Sequence, residues 1–187
     1  MTDRRTFLRA AMAGALTVTM PLPALAHRGP IAHKYLPQTV RFSGRYRPGT
    51  VVVDPRNRFL YLVLGRGQAR RYGVGVGRAG LAFSGSAKVG RKAKWPYWTP
   101  TKNMIRREPE KYAKYAAGLP GGPNNPLGER ALYLYRNGRD TLYRIHGTTQ
   151  PSSIGRAVSS GCIRMLNEHV SDLYERVPVG ARVVVLG

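Results

Sequence analysis

The sequence predicts a mostly β domain of the β-sandwich or barrel-like class, with one or two short helices. Short runs rich in β-branched and aromatic residues recur along the chain, each bounded by turn residues, which is typical of strands. Only one segment near the end of the chain repeats apolar residues at clear helical spacing. Residues 90–128 instead form a long segment rich in Pro, Gly and Trp, of the kind that makes lids and binding loops.

The predicted strands follow one another in a simple order. "TVRF" is a first short strand, and "TVVVDPRNRFLYLVLGRGQARRYGVGV" contains two or three more, with turns at 54–57 and 65–67. "ALYLY" and "TLYRIHG" flank Asn137 and Gly138, a pair that favours a two-residue hairpin turn. "RVVVLG" is expected to close the domain as its last strand.

Helical signals are confined to two places. "PEKYAKYAAG" predicts one short helix inside residues 90–128, from Pro109 to Gly118, with irregular flanks. A second helix is predicted after Asn167, a suitable N-cap. Its apolar face follows the spacing i, i+3, i+4 and i+7, through Val170, Leu173, Tyr174 and Val177.

The segment 90–128 has two open interpretations. It is a lid that contacts substrate, or a covering segment that only shields the core. Trp95 and Trp98 suit either role, and we take both as candidate substrate-binding residues.

The first 26 residues predict an export signal. A basic start with Arg4 and Arg5 precedes an apolar run at 10–20, and a small-residue cleavage site ends at Ala26. The adjacent arginines resemble a twin-arginine signal, although Asp3 leaves the Sec route open. Because the apolar run is too short to span a bilayer, no permanent membrane span is expected. Residues 27–38 are then an N-terminal arm, and 39–187 are the domain.

The strongly basic composition raises the question of nucleic-acid binding. The formal net charge is +22, but the charges are scattered along the sequence without a basic tail or a known nucleic-acid module. Together with export from the cytoplasm, this favours a solvated basic surface suited to an anionic cell envelope. We expect no nucleic-acid partner.

Cys162, in the stretch "SSGCIRM", is the only cysteine in the chain. A single thiol in an oxidising compartment is either a free reactive group or an intermolecular partner, and the alternative is a buried inert side chain.

A reactive thiol needs a base. His146 is the candidate base because it ends a strand where the chain leaves the sheet, although a structural histidine is an equal alternative. His33 lies in the arm and is expected to be disordered, and His169, in a first helical turn, is expected to face solvent.

The residues around Cys162 suit acyl-transfer chemistry. Gly161 permits backbone conformations closed to other residues, and the backbone N–H groups of Gly161 and Cys162 are candidates to stabilise an oxyanion. Arg164 would share a strand face with Cys162 if the stretch is extended. There it binds a substrate carboxylate or forms a structural ion pair.

The segment "IHGTTQPSSIGRAVSSGCIRMLNEHVSDLYERVPVGARVVVL" resembles the catalytic segment of the L,D-transpeptidases of the YkuD family. The resemblance is strong over 145–186, and "WTPT", "PGGPNNPLG" and "ALYLY" extend it upstream to about Trp95. It implies a periplasmic, mostly β enzyme with Cys162 as nucleophile, His146 as general base and the Gly147 carbonyl orienting His146. Arg164 and Ser160 match positions near the substrate.

The resemblance also implies a two-stage acyltransferase reaction on peptidoglycan stem peptides. The Cys162 thiolate attacks the carbonyl between the third and fourth residues of a tetrapeptide stem and releases D-alanine. An amine then takes the acyl group: the diaminopimelate of a second stem, giving a 3→3 cross-link, or an amine of an envelope protein. No metal or nucleotide cofactor is implied.

Two other functions are compatible with the sequence. A carboxypeptidase or endopeptidase would use the same residues with water as the acceptor, and a non-catalytic wall-binding protein would leave Cys162 inert. The sequence also departs from the family pattern at two positions. Ser160 stands where many members have His, which leaves His146 as the sole expected base, and His169 stands where related sequences often have Asp.

Overall fold

A computed structural model describes residues 31–187, so the predicted export signal and the first residues of the arm lie outside the described residues. The mostly β prediction is confirmed. The strands are β1 Gln38–Arg41, β2 Val51–Asp54, β3 Phe59–Gly65, β4 Gln68–Gly73, β5 Val76–Gly77, β6 Gly85–Lys94, β7 Arg130–Arg136, β8 Arg139–His146, β9 Ala157–Ser159, β10 Ile163–Arg164 and β11 Arg182–Val185. The helices are α1 Lys102–Arg107, α2 Pro109–Tyr112 and α3 Asn167–Arg176. Within residues 31–187, no helix is long and apolar enough to cross a membrane.

Nine strands form one mixed sheet in the order β1-β4-β3-β2-β11-β6-β7-β8-β10, and β5 pairs with β9 separately. Most neighbours are antiparallel, but β11 runs parallel to β2 and β10 runs parallel to β8. The interior strand β2 is apolar from Val51 to Val53 because it is covered on both sides there, and these three residues are fully buried. The sheet therefore carries the core and holds the β8–β10 edge in place.

The hairpin between β7 and β8 confirms the turn prediction. Arg136 pairs with Arg139, and the two residues between them, Asn137 and Gly138, have φ of 51° and 77°. Positive φ at both central positions is what a type I′ turn requires, and Asn-Gly accepts it readily.

Strand β8 contains a bulge that the sequence did not signal. Tyr133 pairs with Arg144 and Tyr135 with Asp140, so three residues, 141–143, lie opposite the single residue Leu134. Leu142, at the centre of the bulge, has φ of 63° and an exposed side chain. Bulges bend a strand and re-aim its groups, and this one faces the cysteine described below.

Helix α3 presents the predicted apolar face. Val170, Leu173 and Val177 are fully buried in the core, and the helix packs against β7 and β8. The N-cap prediction is wrong: Leu166 is the N-cap and makes no side-chain cap, while Asn167 is the first helical residue. The Asn167 side chain instead accepts backbone hydrogen bonds near His146, as described for the active site below.

His169 is buried, which corrects the expectation that it faces solvent. Only 5% of the residue is exposed, and its ring lies 6.4 Å from the ring of the fully buried Tyr72 on β4. Arg70 and the hydroxyl of Tyr72 both donate to Asp172 of α3, and these bonds hold β4 against the helix. Sequence periodicity describes the helix but not the strand that covers it.

The segment 90–128 is more regular than expected. Strand β6 continues to Lys94 because β7 pairs with it to its end. Helix α1, which lies in a predicted irregular flank, begins after Thr101, whose hydroxyl accepts the N–H of Met104 as an N-cap. The predicted helix from Pro109 shortens to α2 and a 3-10 turn over 113–115, and the chain turns at Gly118, with φ of 89°.

The described part of the N-terminal arm is ordered against the domain, contrary to the prediction of a disordered arm. A 3-10 turn covers His33–Tyr35, and β1 begins at Gln38 beside β4. The ring of Tyr35 lies 5.7 Å from that of Phe59 and packs directly on Gly73 and Gly155, where a larger side chain would collide with it.

The two buried histidines predict a loss of stability in mild acid. Burial lowers the pKa of His169 and lowers that of His146 to about 3, against an ordinary 6.5. Below about pH 6.5 the unfolded chain therefore binds protons that the folded protein excludes, so the free energy of unfolding falls as the pH decreases. Above that pH the stability that each buried, neutral histidine contributes is fully present. The expected slope is at most about 1.4 kcal/mol per pH unit for each histidine.

Denaturant unfolding at about pH 7.5 and about pH 5.5 measures this loss. His169→Gln is expected to reduce the slope of the unfolding free energy against pH, so that only the part due to His146 remains. A free energy of unfolding that is constant across this range would contradict the burial of both rings in their neutral form.

Candidate active site

The pairing of β10 with β8 brings the predicted nucleophile and base to one cavity. Arg164 lies opposite His146, and side chains alternate along a strand, so Cys162, Arg164 and His146 share one side of the pair. All three line a cavity of about 550 Å³, together with Ser160 and Trp98.

His146 is buried and held in one tautomer. Its Nδ1 lies 2.5 Å from the carbonyl oxygen of Gly147. Because a carbonyl can only accept, Nδ1 carries the proton and Nε2 keeps the free lone pair of a base. Burial, followed by the positive charge of Arg164, lowers the pKa of His146 to about 3. The ring is therefore neutral near pH 7, with its lone pair on Nε2 unprotonated.

The Cys162 thiol is half-buried in the cavity wall and protonated at rest. Its Sγ donates to the carbonyl of Leu142, in the β8 bulge, at 3.9 Å. Burial raises the pKa of Cys162, while the backbone N–H and the charge of Arg144, and then the charge of Arg164, act in the opposite direction. The thiol thus needs a base to remove its proton as it reacts.

A buried serine, which the sequence analysis did not identify, shapes the turn before the thiol. The Ser159 hydroxyl donates to the Cys162 carbonyl at 2.6 Å and accepts the Gly161 N–H at 3.1 Å. Only 2% of Ser159 is exposed. Because the Gly161 amide is engaged in this turn, the Cys162 amide is the remaining candidate from the predicted oxyanion pair.

Gly161 is required by both conformation and space. Its φ is 126°, and a Cβ there would lie 2.6 Å from the Leu81 carbonyl oxygen and 2.6 Å from a ring carbon of Tyr143. Gly161→Ala is therefore expected to displace the turn, to lower stability by about 1–3 kcal/mol and to slow thiol chemistry at Cys162.

A matched control for this prediction is Gly138→Ala. Gly138 also has positive φ, 77°, but a Cβ there would meet nothing within 4 Å. It should lose about 1–2 kcal/mol through backbone strain alone and keep full thiol reactivity. Thermal unfolding and the rate of labelling by a thiol reagent measure both effects, and equal labelling of the two variants would contradict the packing role of Gly161.

Asn167 fixes the loop that follows His146. Its Oδ1 accepts the N–H of Glu129 at 3.3 Å and that of Thr148 at 3.2 Å. A Cβ on Gly147 or Gly128 would collide with this oxygen, so both glycines leave room for it. The Gly147 carbonyl, which accepts from His146, is thereby held in position.

Arg164 faces the cavity without a carboxylate partner among residues 31–187. Its Nη1 donates to Oε1 of Gln150 at 3.0 Å, and its backbone exchanges two hydrogen bonds with Gly75. The ion-pair alternative is therefore not what the structure shows. The charge of Arg164 is available to a ligand in the cavity.

The segment 95–128 forms much of the cavity wall. Trp98 lines the cavity with its ring 5.7 Å from that of Tyr115, whereas Trp95 is exposed and lies outside the cavity lining. The buried Asn125 holds the segment together, because its Nδ2 donates to the carbonyls of Pro96, Leu119 and Pro120, each at 3.0 Å.

A second cavity, of about 560 Å³, is also lined by Cys162. Half of its lining is common to the first cavity, namely Trp98, Thr101, Asn103, Met104, Leu127, Leu142 and Cys162. Its remaining wall includes Arg91, Tyr133 and Arg144, from three neighbouring strands.

Metal-ligating residues do not cluster in the described part of the chain. No group of three or more His, Cys, Asp or Glu side chains is placed to hold a metal ion there.

Comparison with known proteins defines the family. Residues 48–185 match the family model YkuD, described as the L,D-transpeptidase catalytic domain. The chain is 35% identical over 153 residues to a probable L,D-transpeptidase, ErfK/SrfK, of Escherichia coli strain K12, covering 81% of this chain and 48% of that protein. The chain belongs to the YkuD family of L,D-transpeptidase catalytic domains, and it spans about half the length of these curated relatives.

Solved structures agree on the fold. An L,D-transpeptidase from Mycobacterium smegmatis aligns with a TM-score of 0.51 at 17% identity, over 74% of this chain and 58% of that chain. A structure from Brucella melitensis, named as a probable carnitine operon oxidoreductase, is 55% identical with a TM-score of 0.57 and covers 82% of this chain and 94% of that chain.

Proposed function

We propose that this protein is an exported cysteine L,D-transpeptidase that forms a thioester between Cys162 and a peptidoglycan tetrapeptide stem and passes the acyl group to an amine. The observation that carries the proposal is one cavity lined both by the lone thiol and by a buried, neutral histidine that the Gly147 carbonyl holds. The family membership is in accord with this chemistry.

In the first stage the thiol proton moves to Nε2 of His146 as Sγ of Cys162 attacks the stem carbonyl. The oxyanion lies near the Cys162 amide, which is the candidate donor. When the tetrahedral intermediate collapses, the C–N bond breaks and His146 returns the proton to the departing amine. The products are D-alanine and the thioester.

In the second stage an acceptor amine attacks the thioester. The amine loses a proton to His146, the C–S bond breaks, and His146 returns the proton to the sulfur. No net proton change occurs, and the thiol is restored for another cycle. Because the same base serves both stages, the departing and the incoming amine occupy the same side of the sulfur.

The positive lining of the first cavity supports a carboxylate-bearing substrate. Arg164 lies in its wall with Arg107, Lys111 and Lys114, and none of the residues from 31 to 187 that line it is a carboxylate. The terminal carboxylate of a stem ending in D-alanine is a suitable partner for these groups.

The wider context of the proposal follows from the sequence. An export signal at 1–26 would deliver the domain, 39–187, to the periplasm, where stem peptides are the substrates and an envelope protein is an alternative acceptor. The overall basic charge suits that anionic environment.

Product analysis tests the proposal against its rivals. The protein is mixed with a tetrapeptide stem, with and without an acceptor amine, and the products are separated by mass. A cross-linked product that requires the acceptor is expected. A tripeptide alone in both mixtures would indicate the hydrolase, and unchanged stem would indicate a non-catalytic wall-binding protein. D-Alanine release without an added electron acceptor separates acyl transfer from the oxidoreductase activity named for the Brucella relative.

A further inference from the structure

The Cys162 sulfur lies where the two cavities meet, and only the first contains the base. His146 and Arg164 line the first cavity and are not part of the lining of the second. Because His146 must protonate the leaving amine and deprotonate the incoming one, both amines occupy the first cavity. The second cavity is therefore available to a part of the acyl donor that exchanges no proton.

A cross-strand row of side chains forms the floor of this second cavity. Arg91 on β6 lies opposite Tyr133 on β7, which lies opposite Arg144 on β8. The next strand, β10, pairs Ile163 with Ile145, which places Cys162 beside Arg144 at the end of the row. The row thus leads directly to the reactive sulfur.

Both guanidinium groups pack on the buried ring of Tyr133. The Cζ atom of Arg91 is 3.6 Å from the ring centroid, and that of Arg144 is 4.3 Å from it. Stacking uses the flat face of a guanidinium and leaves the N–H donors at its edge available. A long side chain held in this way loses little further freedom when it binds an anion.

The two arginines differ in their available charge. Arg144 forms a bidentate ion pair with Asp140, at 2.7 and 2.9 Å. Arg91 has no ion pair within residues 31–187, and the lining of the second cavity contains no carboxylate. Arg91 is therefore the stacked cation whose charge is not already neutralised.

We propose that Arg91, stacked on Tyr133, is a specificity-determining residue that binds a carboxylate of the acyl-donor stem in the second cavity. The inference rests on the proposed function, because it assigns the donor of that reaction to one side of Cys162. It predicts that the enzyme prefers donors with a free side carboxylate over donors in which that group is a carboxamide.

The test measures thioester formation by Arg91→Gln with a tetrapeptide stem and with stems in which each side carboxylate is amidated in turn. For the free-carboxylate donor, kcat/KM for acylation is expected to fall about tenfold or more. For the donor in which the amidated group is the carboxylate that Arg91 binds, Arg91→Gln should have little effect. Arg91→Lys should recover part of the rate because it restores the charge.

Arg182→Gln is the matched control. Arg182 is an exposed cation on β11, opposite Lys88 of β6, and lies outside the lining of both cavities. It should leave acylation unchanged, which separates a specific contact from a general loss of positive charge.

The outcomes are distinguishable. An equal loss by Arg91→Gln on every donor, a loss confined to the aminolysis stage, or an equal loss by Arg182→Gln would overturn the role of Arg91. If the unaltered protein forms no thioester with any stem, the proposed function itself fails.

Discussion

Cys162→Ser is expected to abolish the release of D-alanine from a tetrapeptide stem, with a loss on the order of a thousandfold or more. The reason is the mismatch between a serine hydroxyl and the available base. Burial and the charge of Arg164 lower the pKa of His146 to about 3, so the neutral ring is a weak base. It can assist a thiol but not the much less acidic hydroxyl. The measurement is the rate of D-alanine release at neutral pH.

The substitution should leave the fold intact, because serine has nearly the shape of cysteine and the site is half-buried. Thermal unfolding of the variant provides that check. D-Alanine release by a folded Cys162→Ser protein at the original rate would show that the thiol is not the nucleophile.

His146→Gln is expected to slow acylation by about a hundredfold to ten-thousandfold at neutral pH and to change its pH dependence. With His146 present, the rate should be flat through pH 6.5 and fall only in much stronger acid, because the pKa of the ring is lowered to about 3. Without it, the reaction depends on spontaneous ionisation of Cys162, whose pKa burial raises. The residual rate should then increase about tenfold per pH unit across the neutral range.

His169→Gln is the matched control for this profile. It removes a second buried histidine that lies against Tyr72, outside both cavities, and should leave the pH–rate profile unchanged. An acid limb centred near pH 6.5 in the unaltered protein would contradict the buried, neutral state assigned to His146.

Local chemistry made part of the structure predictable. Asn137 and Gly138 set a hairpin because two residues alone can satisfy the backbone conformation of a tight turn. The buried face of α3 followed from spacing because a helix repeats its own geometry. The motif order around Cys162 and His146 suggested that the two side chains lie near each other, and both line one cavity; their catalytic roles remain predictions.

The parts that were missed depend on contacts between distant segments. The local sequence predicts Asn167 as an N-cap, but its side-chain oxygen accepts the amide N–H of Glu129, 38 residues earlier in the chain. His169 is buried by β4, which lies far from it in sequence. Nothing in the sequence distinguishes Ser159 from other serines, and its role arises only because the folded turn brings its hydroxyl to the Cys162 carbonyl. Such hydrogen bonds are settled by tertiary packing and leave no periodic pattern in the sequence.

The most direct test of the central claim is the mass of the intact protein after mixing with a tetrapeptide stem in the absence of an acceptor amine. We expect a gain equal to the stem minus D-alanine, located by proteolysis on the peptide that contains Cys162 and removed when an acceptor amine is added. An adduct on another residue, or D-alanine release by a protein whose Cys162 remains free throughout, would contradict it.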